Sequence, residues 1–70
     1  MKYSIGTRFK TVNNQIAIIV AMEICPSKLS GDLVLYDIQL QSYRRSDSVL
    51  MSEQVLEHYI RRGRYTKISN

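Results

Sequence analysis

Residues 33–43 read as one long strand, and from Tyr36 to Gln41 apolar and polar side chains alternate without a break. Val34, Tyr36, Ile38 and Leu40 fall on one side, and Asp37, Gln39 and Gln41 on the other. Successive side chains of a strand point to opposite faces, so a period of two writes a strand with one face buried and one wet. Any fold for this chain has to cover the Val34–Leu40 face. The chain has 70 residues in which to do it. That is room for one domain, spanning residues 1–70, whose core is small because so short a chain buries only about 60% of its unfolded surface.

The preceding apolar run, residues 15–25, holds Ile16, Ile18, Ile19 and Val20 close together. β-Branched side chains crowd a helix and suit a strand, so this run reads as a second long strand. Ile16, Ile18, Val20, Met22 and Ile24 are expected on its core face, and Ala17, Ile19 and Ala21 on the other. Residues 3–12 are rich in Thr, Tyr and Phe and read as the strand before it, with Gly6 marking a bend or bulge. Asn13 and Asn14 between the two runs tolerate left-handed backbone and suit a two-residue hairpin turn. That turn sets Val12 opposite Gln15, Phe9 opposite Ile18 and Thr7 opposite Val20. Facing side chains share a side of the sheet, so Phe9 is expected in the core with Ile18, and Arg8 and Lys10 outside.

Pro26 ends the second run, and residues 26–32 form a loop. Residues 44–48 read as a polar turn, and Val49, Leu50 and Met51 as a short return strand. Ser52 is placed to cap a helix over residues 53–62 by accepting a hydrogen bond from its first amides. Met51 and Leu56 have the spacing of a hydrophobic staple. Val55, Leu56, Tyr59 and Ile60 fall within a helical sector of about 140° that would cover the sheet. Glu53 at the start and Arg61 and Arg62 at the end suit the helix dipole, and Gly63 is the expected stop. Residues 64–68 alternate again and read as a last edge strand. The expected fold class is therefore mainly β (β+α): a small antiparallel SH3-like barrel or strongly bent sheet of four or five strands with one short helix.

Catalytic chemistry has little to work with. His58 is the one histidine and projects to the polar side of the helix, where no partner group is recognisable. Cys25 has only ordinary strand neighbours and reads as a structural thiol. One Cys and one His do not make the usual four-ligand zinc sets. Gly6, Gly31 and Gly63 lie too far apart for a phosphate loop. The reading is no enzyme, no catalytic residue, no metal and no cofactor. A single cysteine fits a reducing compartment, and the chain shows neither a signal-peptide run nor about 20 consecutive apolar residues, so a cytoplasmic protein without a membrane contact is expected.

The charge balance is basic, +4 with a pI near 9.5. Such a balance suits a phosphate-bearing partner and equally suits plain solubility. The basic and aromatic residues that would meet nucleic acid are Arg8, Lys10, Tyr43, Arg44, Arg45, Arg62, Arg64, Tyr65 and Lys67. In that arrangement a ring stacks on a base while a neighbouring guanidinium meets a phosphate.

The order of elements resembles small SH3-like barrels that carry a helix near the C-terminus. The run from Ile5 through Gly6, Thr7, Arg8 and Phe9 to Lys10 looks like the first strand of such barrels. The run Met51, Ser52, Glu53, Gln54, Val55, Leu56 looks like their strand-to-helix step. Chromo-like domains and small basic archaeal chromatin proteins share the outline. This chain lacks the aromatic cage of a methyl-lysine reader and the Gly-rich turn of the KOW module. A compact chain of this style also resembles bacteriophage accessory proteins, which often bind and inhibit a host protein. The resemblance implies a non-enzymatic binding module, phage-encoded, that modulates a host protein through an exposed sheet edge and the loop at residues 26–32. The alternative is a nucleic-acid-binding domain with little sequence specificity, and a homodimer pairing edge strands is a third arrangement.

Overall fold

The computed structural model describes residues 3–26, 31–42 and 46–69. Five strands and one helix follow the chain: β1 (Arg8–Thr11), β2 (Ile16–Cys25), β3 (Leu33–Gln41), β4 (Ser46–Ser52), α1 (Glu53–Arg61) and β5 (Tyr65–Ser69). The strands make one antiparallel sheet in the order β4-β3-β2-β1-β5. The expected β+α class with a short C-terminal helix is what the chain adopts. No helix among the described residues is long and apolar enough to cross a membrane.

The first hairpin is one residue out from the expected register. Its loop has three residues, Val12, Asn13 and Asn14, between the paired ends Thr11 and Gln15. The Thr11 N–H donates to the Gln15 carbonyl at 2.9 Å. Asn14 alone takes the left-handed conformation, with φ 60°. The turn is tightened by the Thr11 Oγ1, which accepts from the amides of Asn13 (3.3 Å) and Gln15 (3.1 Å). A turn followed by one left-handed residue is the usual three-residue hairpin loop, and Asn supplies that residue without glycine.

The extra loop residue pairs Phe9 with Ala17 and Arg8 with Ile18. A one-residue slip turns every side chain to the other face. Phe9 is buried as expected, but Ala17 and Ile19 enter the core with it, while Ile16 and Ile18 face outward. A bulge at Val20 reverses the slip: Ile19 pairs with Ile38 and Ala21 with Asp37. Beyond it Met22 lies opposite Tyr36 and Ile24 opposite Val34, on the expected inner face. Val20 itself is 42% exposed. Residues before β1 bend where Gly6 takes φ 96°, rather than extending the strand, and Gly6 and Thr7 bond to Ile19.

The alternation over β3 is realised. Tyr36 and Ile38 are fully buried and Val34 and Leu40 pack against them. β4 is longer than the expected three residues, because Ser46, Asp47 and Ser48 pair with Gln41, Leu40 and Gln39 rather than forming a turn. The helix starts as its sequence dictates. Ser52 Oγ accepts from the Val55 N–H at 3.3 Å. Met51 and Leu56 are both buried. The Tyr36 hydroxyl donates to Glu53 Oε2 at 2.5 Å and ties the helix start to β3. Tyr59 and Ile60 pack on the core, but Val55, at the edge of the apolar sector, stays 42% exposed.

The helix ends one residue earlier than expected, with Arg62 as its cap. The Gly63 N–H donates to the Ile60 carbonyl (3.1 Å) and the Arg64 N–H to the Tyr59 carbonyl (2.9 Å). That pair of bonds, closed by a glycine at φ 76°, is the Schellman arrangement. It turns the chain directly into β5, which pairs with β1 and forms the far edge of the sheet. Ser52→Ala should cost about 1 kcal/mol by leaving the Val55 amide without its acceptor. Urea unfolding followed by circular dichroism measures it, and an unchanged midpoint would contradict the cap.

Candidate nucleic-acid interface

Pairing β5 to β1 brings together basic residues that lie far apart in the chain. Arg8 and Lys10 point outward from β1, and Lys10 sits beside Thr66 of β5. Arg61 and Arg62 close the helix, Arg64 leads into β5, and Lys67 lies within it. All of them are exposed. Neither β1 nor β5 contains an acid, nor does the turn between α1 and β5. Glu23, Asp32, Asp37, Asp47, Glu53 and Glu57 lie on β2, β3, β4, the loop before β3 and the body of the helix. The sheet order thus places cations at the β1–β5 side and acids on the remainder of the described residues. Such a separation gives one side a positive potential that steers anions.

Tyr43, Arg44 and Arg45 lie outside the described residues. Tyr65 is placed differently from the stacking role expected of it. It is 8% exposed and belongs to the core. Its ring lies 5.9 Å from that of Phe9 and 5.5 Å from that of Tyr59. It faces inward because it pairs with Thr11, two residues along β1 from Phe9 and on the same face. Phe9, Tyr36 and Tyr65 are core residues, and Tyr3 packs edge-on against Phe9 and Tyr36. No Tyr or Phe ring among the described residues is exposed, and the His58 imidazole is the exposed ring among them. One imidazole is no row of rings, so this part of the surface gives a run of bases nothing on which to stack in succession.

The arrangement does contain a pair that sequence reasoning missed. The Arg64 guanidinium lies over the Tyr59 ring, 5.7 Å from its centre. The Schellman turn creates this pair by folding Arg64 back along the last helical turn. The sequence places Tyr59 only in the apolar sector, and the glycine stop at Gly63 is its one signal that Arg64 returns to that ring. Between this pair and the β1–β2 turn lies a cleft of about 200 Å³, bordered also by Asn13, Gln15, Leu40 and Tyr65.

Burial, and next the neighbouring Tyr59 phenol, raise the pKa of the Tyr65 hydroxyl above its ordinary 10.0. The fold favours the protonated form. Its contribution to stability is complete below pH 10.0 and is lost as pH rises through the folded value. Denaturation midpoints compared at about pH 9 and about pH 11 should show a fall that Tyr65→Phe makes shallower. An equal fall in the variant would contradict this assignment.

Cys25 lies half-buried at the end of β2, opposite Leu33 on the outward face, whereas His58 is exposed on the helix that packs against the inward face. The sheet stands between them. Among the described residues no three His, Cys, Asp or Glu side chains are grouped to hold a metal ion. No protein-family model, curated protein or solved structure matches the chain.

Proposed function

We propose that the chain is a non-enzymatic binding module on a small SH3-like barrel, and that its basic side holds a nucleic-acid backbone with little sequence preference. The barrel reading is supported by the helix, which contacts β3 and both edge strands, β4 and β5. One short helix meeting β3 and both edges fits a bent sheet better than a flat one, although its contacts with β4 and β5 also follow from its joining those two strands. The single observation that carries the functional reading is the collection of Arg8, Lys10, Arg61, Arg62, Arg64 and Lys67 around paired strands that hold no acid. Read along the chain, these residues look like separate patches, each with its own structural explanation. Joined, they surround one edge of the sheet, Arg8 and Lys10 on its outward face and Lys67 opposite Phe9 on the other, and offer phosphates positive charge from both sides of that edge. That no Tyr or Phe ring among the described residues is exposed favours phosphate contacts over successive base stacking, and so a duplex over an extended single strand.

The test is a fluorescence-anisotropy titration of a mixed-sequence duplex at several salt concentrations. With about six phosphate contacts, affinity should fall roughly 10³-fold between about 50 and 200 mM salt. Flat salt dependence, or no binding at low salt, would reject the reading.

A second reading, a protein partner such as a host protein modulated by a phage-encoded chain, is favoured by a different observation. Beyond Ile19, β2 pairs only with β3 among the described residues, and Ile24 (52% exposed) and Leu33 (41% exposed) stand at that end. An extended segment of a partner could add to this edge. A specific protein retained from cell extract after nuclease treatment, and lost on Ile24→Lys, would favour it.

A further inference from the structure

The cleft between the β1–β2 turn and the helix end has a lining of mixed chemistry. The rings of Tyr59 and Tyr65, 48° apart, and the Leu40 side chain give it apolar, partly planar walls. Asn13 and Gln15 border it, residues whose carboxamides can each donate and accept. Arg64 supplies a positive charge, and no acid lines the cleft. Its volume, about 200 Å³, is below the roughly 300–1,000 Å³ of sites for drug-sized ligands, so one ring system fits and a run of bases does not.

These features select a ligand. A purely apolar molecule would leave the amides and guanidinium unused. A cation would meet Arg64 with nothing to balance it. A flat heterocycle with donors and acceptors on its edge, carrying an anion, uses every wall. We propose that the cleft binds a single nucleotide unit, its base against Tyr59 and Leu40, its edge hydrogen-bonded by Asn13 and Gln15, and its phosphate held by Arg64. The choice of a nucleotide over other planar anions rests on the nucleic-acid reading above. The unit can come from a free nucleotide or from the unpaired end of a nucleic acid, and both present the same chemistry.

The whole chain would be titrated, with amide and tyrosine-ring NMR signals as the readout. The probes are adenosine and cytidine monophosphates, adenosine alone, inorganic phosphate, N-acetylglycine as a small carboxylate, and hairpin duplexes ending either blunt or in one unpaired nucleotide. Monophosphates should shift the amides of residues 11–15 and the rings of Tyr59 and Tyr65. Phosphate alone should bind at least about tenfold more weakly. Asn13→Ala and Gln15→Ala should each lower monophosphate affinity about 3- to 10-fold, as expected for one lost hydrogen bond. Both side chains lie outside the core, so unchanged signals elsewhere would show that the variants fold. Tighter binding of the overhanging duplex than of the blunt one assigns the unit to a nucleic-acid end. Equal binding of the two, with monophosphates still bound, assigns it to the free nucleotide. The proposal is overturned if phosphate or N-acetylglycine reproduces the monophosphate shifts, if both variants bind like the parent, or if monophosphates do not bind. Salt-dependent binding of blunt duplex without monophosphate binding removes the cleft site alone. Monophosphate binding without any duplex binding removes the backbone reading alone.

Discussion

Phe9→Ala should destabilise the fold by about 3–5 kcal/mol, the cost of deleting a fully buried ring and leaving a cavity. At roughly 0.05–0.15 kcal/mol per residue, a chain this short has little more than that in total. Phe9 has no exposed surface. Its ring stands edge-on to Tyr3 at 5.7 Å and against Tyr65 at 5.9 Å. Across the sheet it faces Ala17, a side chain too small to fill the space it would leave. The same register separates two isoleucines that adjoin in the chain. Ile19 is fully buried, so Ile19→Ala should cost about 2–5 kcal/mol, whereas Ile18 faces outward and Ile18→Ala should cost about 1 kcal/mol or less. Urea unfolding of the three variants would check the set. An Ile18 variant as damaging as the Ile19 variant would restore the two-residue turn and reject the register described here.

That contrast shows what was legible in the sequence. β3 could be placed on its faces because Val34, Tyr36, Ile38 and Leu40 alternate with Asp37, Gln39 and Gln41, and only one assignment buries the apolar set. β2 offers no such choice, since Ile16 and Ile18 compete with Ala17 and Ile19 for the core. The face is then decided by the turn, and either asparagine could have taken the left-handed position. Asn14 takes it, with Thr11 Oγ1 accepting from the amides of the residues on either side, Asn13 and Gln15. Met22 and Ile24 return to their expected face only through the bulge at Val20, which the run of apolar residues does not announce. The helix was legible because its signals are local: the Ser52 cap, the Met51 and Leu56 staple and the Gly63 stop act within a few residues of one another. The basic side was not, because it depends on β5 pairing with β1, a contact between opposite ends of the chain.

The largest functional effect should come from neutralising that side at both strands together. The variant carrying Arg8→Gln, Lys10→Gln and Lys67→Gln keeps side chains of similar polarity at exposed positions, so its stability should stay within about 0.5 kcal/mol of the parent. Each replaced cation that touches a phosphate should make the log–log salt slope of duplex binding shallower by about 0.9. Near 0.1 M salt the three together should weaken binding on the order of 100-fold, without changing preference among sequences, because backbone contacts carry no base information. The control variant carries Asp37→Asn and Asp47→Asn, which remove two negative charges from β3 and β4. It changes net charge by a comparable amount on the other side of the sheet, and should strengthen binding only slightly, through the long-range field. The comparison separates a local interface from a net-charge effect. If binding tracks net charge alone across the two variants, or if the triple variant keeps the parent's slope, the paired strands are not where the phosphates lie. A local interface requires the slope to fall with the β1 and β5 cations and to stay nearly constant when charge is changed on β3 and β4.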